Sequence, residues 1–557
     1  MVYGPFFLVL PYFAKIFREM STSEKMPDKE VSAVTNNTSP VSSNANVDGI
    51  NFGNGYIVNE NGELMLDNGL KPGLKNRMIN LMAICGILGP GVFVGMGSML
   101  KTGGGAGMLT GFAIVGALVL SMMFSIGELN ATFDFNFCKH ATRYVSPGFG
   151  AALALSYVVL WITNLISEYT ALTSICETYT EKIPTYGWFL IFWAGFSLFQ
   201  LLSVSAYGEA EYILGFMKLA FITGFYVFAI IFAAGGIPNH KPDNPFGKHP
   251  LVDGFKGIAN SFVYAGVFLS GIESVSIFAS EARNPQKAIP SAVRNTVFRI
   301  FYVYFGISVF YSVTVSPHDT SLNDPSKAMR SPMTIALTNA GWNNSKYFVT
   351  TMILITCLSS INSAIFLASR SLFTWSEMGM GPKIFTKTDK KGVPYVAIHT
   401  CHLFGFLSIL SYSAGSSVAY SYIVGITGVS AFIIWAGISF IHLRFRKGWL
   451  RQHKSLSDLG YLAPLYPWSN YFAIGLGIVL ILVQGWTSFA PWDKSSFIDC
   501  YIMLPVFFIW WGFYDLFYFK TRLVRYEDMD FETGRRMDID KVLKSSDIVA
   551  LTSVLSH

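Results

Sequence analysis

The sequence predicts an all-α membrane protein of twelve transmembrane helices, built as a five-plus-five inverted repeat with discontinuous first and sixth helices and two extra C-terminal helices. Three observations predict this. The chain has 557 residues, of which 52% are apolar, 16% aromatic and only 13% charged, a composition unlike that of a soluble multidomain protein. Uncharged runs long enough to cross a bilayer as helices recur at approximately 77–100, 106–127, 150–176, 187–207, 211–234, 257–280, 297–316, 347–371, 395–413, 417–441, 470–490 and 497–519. Two of these runs, five spans apart, contain residues that interrupt a helix.

The chain opens on a short apolar patch, Phe6 to Leu10, broken by Pro5 and Pro11 and followed by Lys15 and Arg18. It is too short to span, and its charges follow rather than precede it, so it is neither a signal peptide nor a transmembrane helix. Residues 21–70 are rich in Ser, Asn, Asp, Glu and Gly, and a disordered cytoplasmic N-tail is expected over 1–74. The transmembrane domain follows at 75–520, with repeat one at 77–234, repeat two at 257–441 and the extra helices at 470–519, before a cytoplasmic C-tail at 521–557. The uncharged run between Lys391 and Arg444 is twice the length of one span, so it must turn, near Ser413-Ala414-Gly415-Ser416.

Orientation follows from the basic residues. With the N-terminus inside, 30 Lys and Arg fall on the cytoplasmic side and 9 on the other, with Lys218 within a span. That asymmetry puts both ends in the cytoplasm of a multi-pass protein. It also accounts for the net charge of +6 without nucleic acid as a partner. Cys85, Cys138, Cys176, Cys357, Cys401 and Cys500 lie singly in or beside apolar spans without metal-ligand spacing, so they read as small core residues. No loop is long enough for a separate domain, and specific chemistry has to sit among the helices.

The first interruption is Ile87-Leu88-Gly89-Pro90-Gly91-Val92-Phe93-Val94-Gly95. Proline lacks an amide hydrogen and clashes with the preceding turn, and its flanking glycines weaken a helix further. Unpaired backbone groups are prohibitive in hydrocarbon, so such a break implies a polar site held by protein or a watery cavity. The second is Phe268-Leu269-Ser270-Gly271-Ile272-Glu273-Ser274, where Glu273 puts an ionisable group at membrane depth. An odd number of helices per repeat inverts the second copy, and its broken helix then meets the first near the midplane. Half-helix N-termini offer positive dipole ends to an anion, while unwound carbonyls suit an ammonium group. A ligand carrying both groups on adjacent carbons is an α-amino acid.

The residues also carry a resemblance. Gly89-Pro90-Gly91-Val92-Phe93, Ser125-Ile126-Gly127-Glu128, Gly208-Glu209-Ala210-Glu211-Tyr212 leading to Lys218, and Gly271-Ile272-Glu273-Ser274 occur in order. Ser280-Glu281-Ala282-Arg283-Asn284-Pro285-Gln286-Lys287-Ala288-Ile289-Pro290, Ser369-Arg370-Ser371-Leu372, Gly381-Pro382-Lys383-Ile384-Phe385 and Asp389-Lys390-Lys391-Gly392-Val393-Pro394 follow them. From Leu74 to Tyr526 the chain resembles fungal amino acid permeases, general amino acid permease type, of the amino acid-polyamine-organocation superfamily. The resemblance implies uptake of amino acids with protons across the plasma membrane, a lipid bilayer as environment and no cofactor or metal. It implies substrate binding by Ile87, Gly89, Pro90, Gly91, Val92, Phe268, Leu269, Ser270, Gly271, Glu273 and Glu168, and proton coupling by Lys218 and Glu273. A lysine on the fifth helix of proton-coupled relatives resembles a substitute for a sodium ion. Lys218 is expected about two turns into its span, roughly 10 Å from the cytoplasmic end at 1.5 Å per residue.

Several residues carry bland readings beside functional ones. Glu168 either lines the pocket or braces the third and tenth helices. Trp161 and Tyr157 at helical spacing read as core. Ser359, Ser360, Asn362 and Ser363 form a polar patch in the eighth span, read as helix packing before ion ligation. His399 and His402 lack a nearby acidic third ligand, which argues against an enzyme. A non-transporting amino acid sensor on the same fold, or a narrow-range permease for cationic or sulfur-containing amino acids, are the alternatives to a broad-range importer. Fungal permeases commonly carry threonine where this chain has Pro90, so a substrate carboxylate here relies on the Gly91 and Val92 amides. Pro90→Thr is expected to shift the Michaelis constant for at least one amino acid, and uptake kinetics with every constant unchanged would remove that assignment.

Overall fold

The computed structural model describes residues 50–51, 56–58, 64–66, 70, 73–86, 88–177, 179–180, 182–238, 245–281, 285–324, 330–412, 417–489 and 491–535. Most of the expected N-terminal tail, the turn expected at 413–416 and Ile87 lie outside them. Within the stretch where composition predicts no structure, Tyr56–Val58 pairs antiparallel with Leu64–Leu66. Elsewhere the fold is helical. Among the described residues, seven helices are long and apolar enough to cross a membrane, or eight when a pair bent by 42° is taken as one span. Thr185–Phe199, Tyr395–Ser411 and Trp468–Val483 are shorter apolar helices.

Helix α1, Asn76–Leu81, winds on as a wider turn through Gly86. After an extended Gly89 the chain makes one tight turn, Pro90–Val92, with proline at the first helical position where no amide hydrogen is needed. Helix α2 then runs from Gly95 to Thr132 with a kink at Gly104, whose φ of 67° lies in the left-handed region. A side chain there would also strike the Pro250 carbonyl at 2.8 Å. The second half of the first span therefore meets the second span at a glycine kink, where the Ala106 amide leaves the helix and donates to the Pro250 carbonyl at 2.7 Å. The next elements are α3 (Phe137–Tyr144), α4 (Pro147–Cys176), α5 (Thr185–Phe199) and α6 (Val204–Ala233). Asn136, Ser146 and Ser203 cap α3, α4 and α6 by accepting amide hydrogens three residues on. Helix α7, Gly254–Leu269, breaks and resumes through Ile272–Ser274 into α8, Val275–Ser280.

Then come α9 (Pro285–Phe298), which continues without interruption into α10 (Gly306–Thr314), α11 (Pro332–Asn339) and α12 (Ser345–Glu377). The chain closes with α13 (Tyr395–Leu403), α14 (Ser417–Arg451), α15 (Trp468–Val483), α16 (Lys494–Tyr501) and α17 (Met503–Gly512). The broadest packing joins α4 to α12 and α2 to α7. The α2–α7 contact is close because Gly103, Gly107 and Gly111 present bare Cα atoms to Ser261 and Gly257. This holds the second broken helix against the first.

Several boundaries differ from the sequence expectation, and three of them illustrate one reason. Helix α6 starts at Val204 rather than 211, the helix leading into α10 starts at Pro285 rather than 297, and α14 runs to Arg451 rather than 441. The expected ends were set by charged residues, but partners take several of those charges into the protein. Arg299 is buried and donates to Tyr304 Oη at 3.0 Å. Arg370 donates to Glu281 at 2.7 Å. Arg446 makes a two-pronged pair with fully buried Glu128, at 2.7 and 2.6 Å.

Glu128 also accepts the Ala463 amide at 2.7 Å, and His442 Nε2 lies 3.2 Å from it. The end of α2 is thereby tied to α14 and to the segment entering α15. The segment after α17 is likewise attached. Phe531 is buried among Tyr144, Phe445 and Trp449. The Gly534 carbonyl accepts the Asp134 amide at 2.8 Å, and Gln452 donates to the carbonyls of Tyr526, Glu527 and Met529.

Removing one member of a buried ion pair strands the other, at a cost of about 3–5 kcal/mol. Glu128→Ala is expected to lower the melting temperature of the detergent-purified protein substantially, and Glu128→Leu with Arg446→Met to recover much of the loss. Equal melting of Glu128→Ala and the native chain would show that the pair contributes nothing.

Candidate functional site

Both interruptions free backbone groups, and named side chains take them up. At the first, the Lys218 ammonium donates to the carbonyls of Cys85 (3.2 Å), Gly86 (3.4 Å) and Leu88 (3.2 Å), and to Ser359 Oγ at 2.8 Å. Ser359 and Ser363 also approach the Gly86 carbonyl, and Ser331 Oγ donates to the Phe93 carbonyl at 2.7 Å. At the second, Gly271 adopts φ 94°, which turns its amide back onto the Glu273 carboxylate at 3.2 and 3.1 Å. Trp435 of α14 donates its indole N–H to the same carboxylate at 2.9 Å. The carbonyl of Phe268 accepts from Tyr304 at 2.6 Å, and Tyr304 in turn accepts from Arg299. The two broken helices are thus pinned from α6, α12, α14 and the α9–α10 helix.

The Ser203 cap changes the depth of Lys218. It stands fourteen residues past Val204, about 21 Å along a helix rising 1.5 Å per residue, where the sequence reading put it at about half that. The middle of a 30-residue helix is too deep for snorkelling to an interface, and Lys218 is 2% exposed.

The structure brings Gly89, Pro90, Gly91, Phe268 and Glu168 to one place. The Glu168 carboxyl lies against the Gly89 Cα, so a Cβ there would meet Oε1 at 2.7 Å and Ser360 Oγ at 3.4 Å. Glu168 therefore faces the first break, while α4 meets α14 through Thr163 and Thr427, whose hydroxyls are 2.8 Å apart. The Phe268 ring lies across the Cα atoms of Gly91 and Gly95, 3.0 and 2.8 Å from where their side chains would start. Val92 and Leu269 are buried. Ile87 is outside the described residues. Glu273, expected beside the substrate, accepts from the Gly271 amide and the Trp435 indole, and the Tyr157 hydroxyl interacts with it as well.

Two expectations need revision. The ammonium seated on three carbonyls of the first break is the chain's own, that of Lys218. The polar patch on α12, read first as helix packing, supplies ligands to a buried cation and a buried anion. Ser359 and Asn362 donate to Glu211 at 2.5 and 2.7 Å, and Gln200 donates to Asn362 Oδ1 at 2.7 Å. Glu211 was missed as a site residue, although its spacing of seven from Lys218 puts both on one face of a helix. Arg299, Tyr304 and Trp435 were missed because nothing local marks them. Tyr157 and Trp161 are buried and in edge contact, as core residues would be. His402 sits between Tyr169 Oη (2.6 Å) and Ser197 Oγ (3.0 Å).

The amino acid permease family profile matches residues 79–526. An amino-acid permease of Schizosaccharomyces pombe is 54% identical over 93% of this chain and 94% of its own. General amino acid permease AGP3 of Saccharomyces cerevisiae is 40% identical over 86% and 87%, and general amino-acid permease GAP1 of the same yeast 31% over 85% and 81%. Among solved structures, a manganese transporter of Eremococcus coleocola superposes with a TM-score of 0.51 over 78% of this chain and 92% of its own. At 13% identity that likeness is one of fold alone. The chain belongs to the amino acid permease family and is a multi-pass membrane transporter of amino acids, not an enzyme.

Proposed function

We propose that the protein imports a broad range of amino acids together with protons across the plasma membrane, by alternating access, with both termini in the cytoplasm. The observation that carries this reading is the Lys218 ammonium seated on the unwound carbonyls of the first broken helix. The ammonium donates to three carbonyls and to Ser359 Oγ at 2.8 to 3.4 Å, so a protein-borne cation occupies the unwound segment. A fixed, titratable cation in place of a mobile one turns the coupling ion into a proton.

Within this reading the two breaks belong to an inverted repeat of 77–234 and 257–441, followed by extra helices at 470–519, in a transmembrane domain at 75–520. A substrate carboxylate meets the Gly91 amide and competes with the Gly89 carbonyl for the amide of Val92, which donates to that carbonyl at 3.4 Å. The ammonium meets the carbonyls around Leu269 and Ser270 and the Glu168 carboxylate beside Gly89. Phe268 covers the side chain. A wall of glycine Cα atoms and one aromatic ring makes few polar demands on that side chain, which supports breadth. Two relatives carry the printed name general amino acid permease, which supports it further.

Lys218, rather than Glu273, is the proton carrier in this reading. Glu273 already serves the break as an acceptor for two N–H groups, a duty that glutamine's amide oxygen can also perform.

In a permease-deficient host, a panel of proteinogenic amino acids competing against one labelled substrate, run at two external pH values, is expected to reveal many competitors and faster uptake on the acid side. Lys218→Met is expected to abolish acid-driven accumulation, a loss of about tenfold or more, while Glu273→Gln retains it. No uptake by a surface-expressed native chain would point to sensing instead. Retained coupling in Lys218→Met would remove Lys218 from the proton path.

A further inference from the structure

Lys218 can give up a proton only to a group within reach, and the structure supplies one. Helix α6 carries Tyr207, Glu211 and Lys218 on one stripe, and α12 faces it with Ser359, Asn362 and Ser363. Glu211 is fully buried. Lys218 and Glu211 do not touch. The Ser359 hydroxyl stands between them, accepting from the ammonium at 2.8 Å and directed at Glu211 Oε2 at 2.5 Å. Its other acceptor, the Gly86 carbonyl, is farther off at 3.3 Å, so the single hydroxyl hydrogen lies toward the carboxylate.

We propose that Glu211 receives the transported proton from Lys218 through the Ser359 hydroxyl, on the way to the N-terminal end of α6. This rests on the reading of Lys218 as the proton carrier. In the step, an N–H bond of Lys218 breaks as its proton passes to Ser359 Oγ, and the hydrogen already on Oγ passes to Glu211 Oε2. The ammonium and carboxylate become an amine and a carboxylic acid, the serine is regenerated, and no co-reactant is needed. The amine keeps its remaining hydrogens but loses the charge that holds the carbonyls of Cys85, Gly86 and Leu88, so the relay also loosens the first break.

The placement of the other groups fits a directed exit. Asn362 holds Glu211 Oε1 and is itself held by Gln200, which lies just before the exposed Leu202 and Ser203 in the connection between α5 and α6. The Tyr207 and Ser363 hydroxyls, 3.3 Å apart, continue the polar file along the same stripe. The other charged or titratable groups around Lys218 are Cys85 on the first break, Arg299 on the α9–α10 helix and Glu168 on α4. Those around Tyr207, beyond Glu211, are Arg370 and Glu281. Arg299 repels a proton on Lys218, while Glu168, which faces the break at Gly89, attracts one.

The test uses the full chain in proteoliposomes, an equimolar mixture of radiolabelled proteinogenic amino acids, and a trapped pH dye. Under an acid-outside gradient of about one pH unit, one proton per substrate supports about tenfold accumulation. Glu211→Gln is expected to reduce accumulation and internal acidification to background while counterflow exchange, which moves no net proton, stays within about twofold of native. Ser359→Ala is expected to behave like it, and Ser359→Thr, which keeps the hydroxyl, to restore coupling. Native-like accumulation by Glu211→Gln, or loss of counterflow together with accumulation, would overturn the relay. If Lys218→Met still accumulates substrate, the assignment of Lys218 itself fails, a result separable from failure of Glu211 alone.

Discussion

The structure depends on how it resolves unpaired peptide groups inside an apolar solvent. A helix broken in hydrocarbon leaves carbonyls that need donors, and here one ammonium satisfies three of them at once. Without Lys218 the first break would carry a cost of several kcal/mol for each orphaned group. The reverse also holds, because a buried lysine is tolerable only where acceptors surround it. Break and cation therefore require each other, and the sequence can hold both or neither. Glu273 plays a comparable part at the second break, where the anion caps its own helix terminus and a neighbouring indole steadies it.

This mutual dependence links local chemistry to large-scale motion. The donors that stabilise the two interrupted helices sit on other helices: α6 and α12 for one, α14 and the α9–α10 helix for the other. A change in charge at Lys218 alters how firmly α1 is held to α6 and α12, so protonation and helix arrangement are one equilibrium in this account. The Arg299–Tyr304–Phe268 chain ties the seventh expected span to the lip of the second break in the same way. The glycines at positions 91 and 95 let the Phe268 ring lie directly on the backbone of the first helix, so the two interrupted elements are in contact through one aromatic side chain.

Much of this was legible in the sequence because the bilayer leaves few options. Pro90 between two glycines and Gly271 beside Glu273 announced the breaks, and the kink at Gly104 falls between two uncharged runs. Boundaries were harder. Reading charge as the edge of a span failed at Glu211, Arg299 and Arg446, since each is taken inside by a hydrogen-bond partner: Ser359 and Asn362 for the first, Tyr304 for the second and Glu128 for the third. That misreading placed Lys218 too near a surface and hid its companion. The polar patch on α12 was visible, but serines and an asparagine in an apolar helix look the same whether they glue helices or ligate ions. Only the facing residues distinguish the two. Trp435 and Tyr304 carried no signal at all, because an aromatic side chain in a membrane helix is ordinary until its polar tip has a destination.

The run from Val524 to Arg535, irregular apart from one tight turn at Tyr526–Asp528, extends this pattern beyond the last helix. It is laced to the α2–α3 connection through Asp134, to Val145 between α3 and α4, and to Gln452 just past α14, with Phe531 plugged into the aromatic nest beneath. These anchorage points belong to helices that also carry the Glu128–Arg446 pair. A load applied to the chain beyond Arg535 would therefore be felt first where α2 and α14 end, like a cord knotted to two rafters.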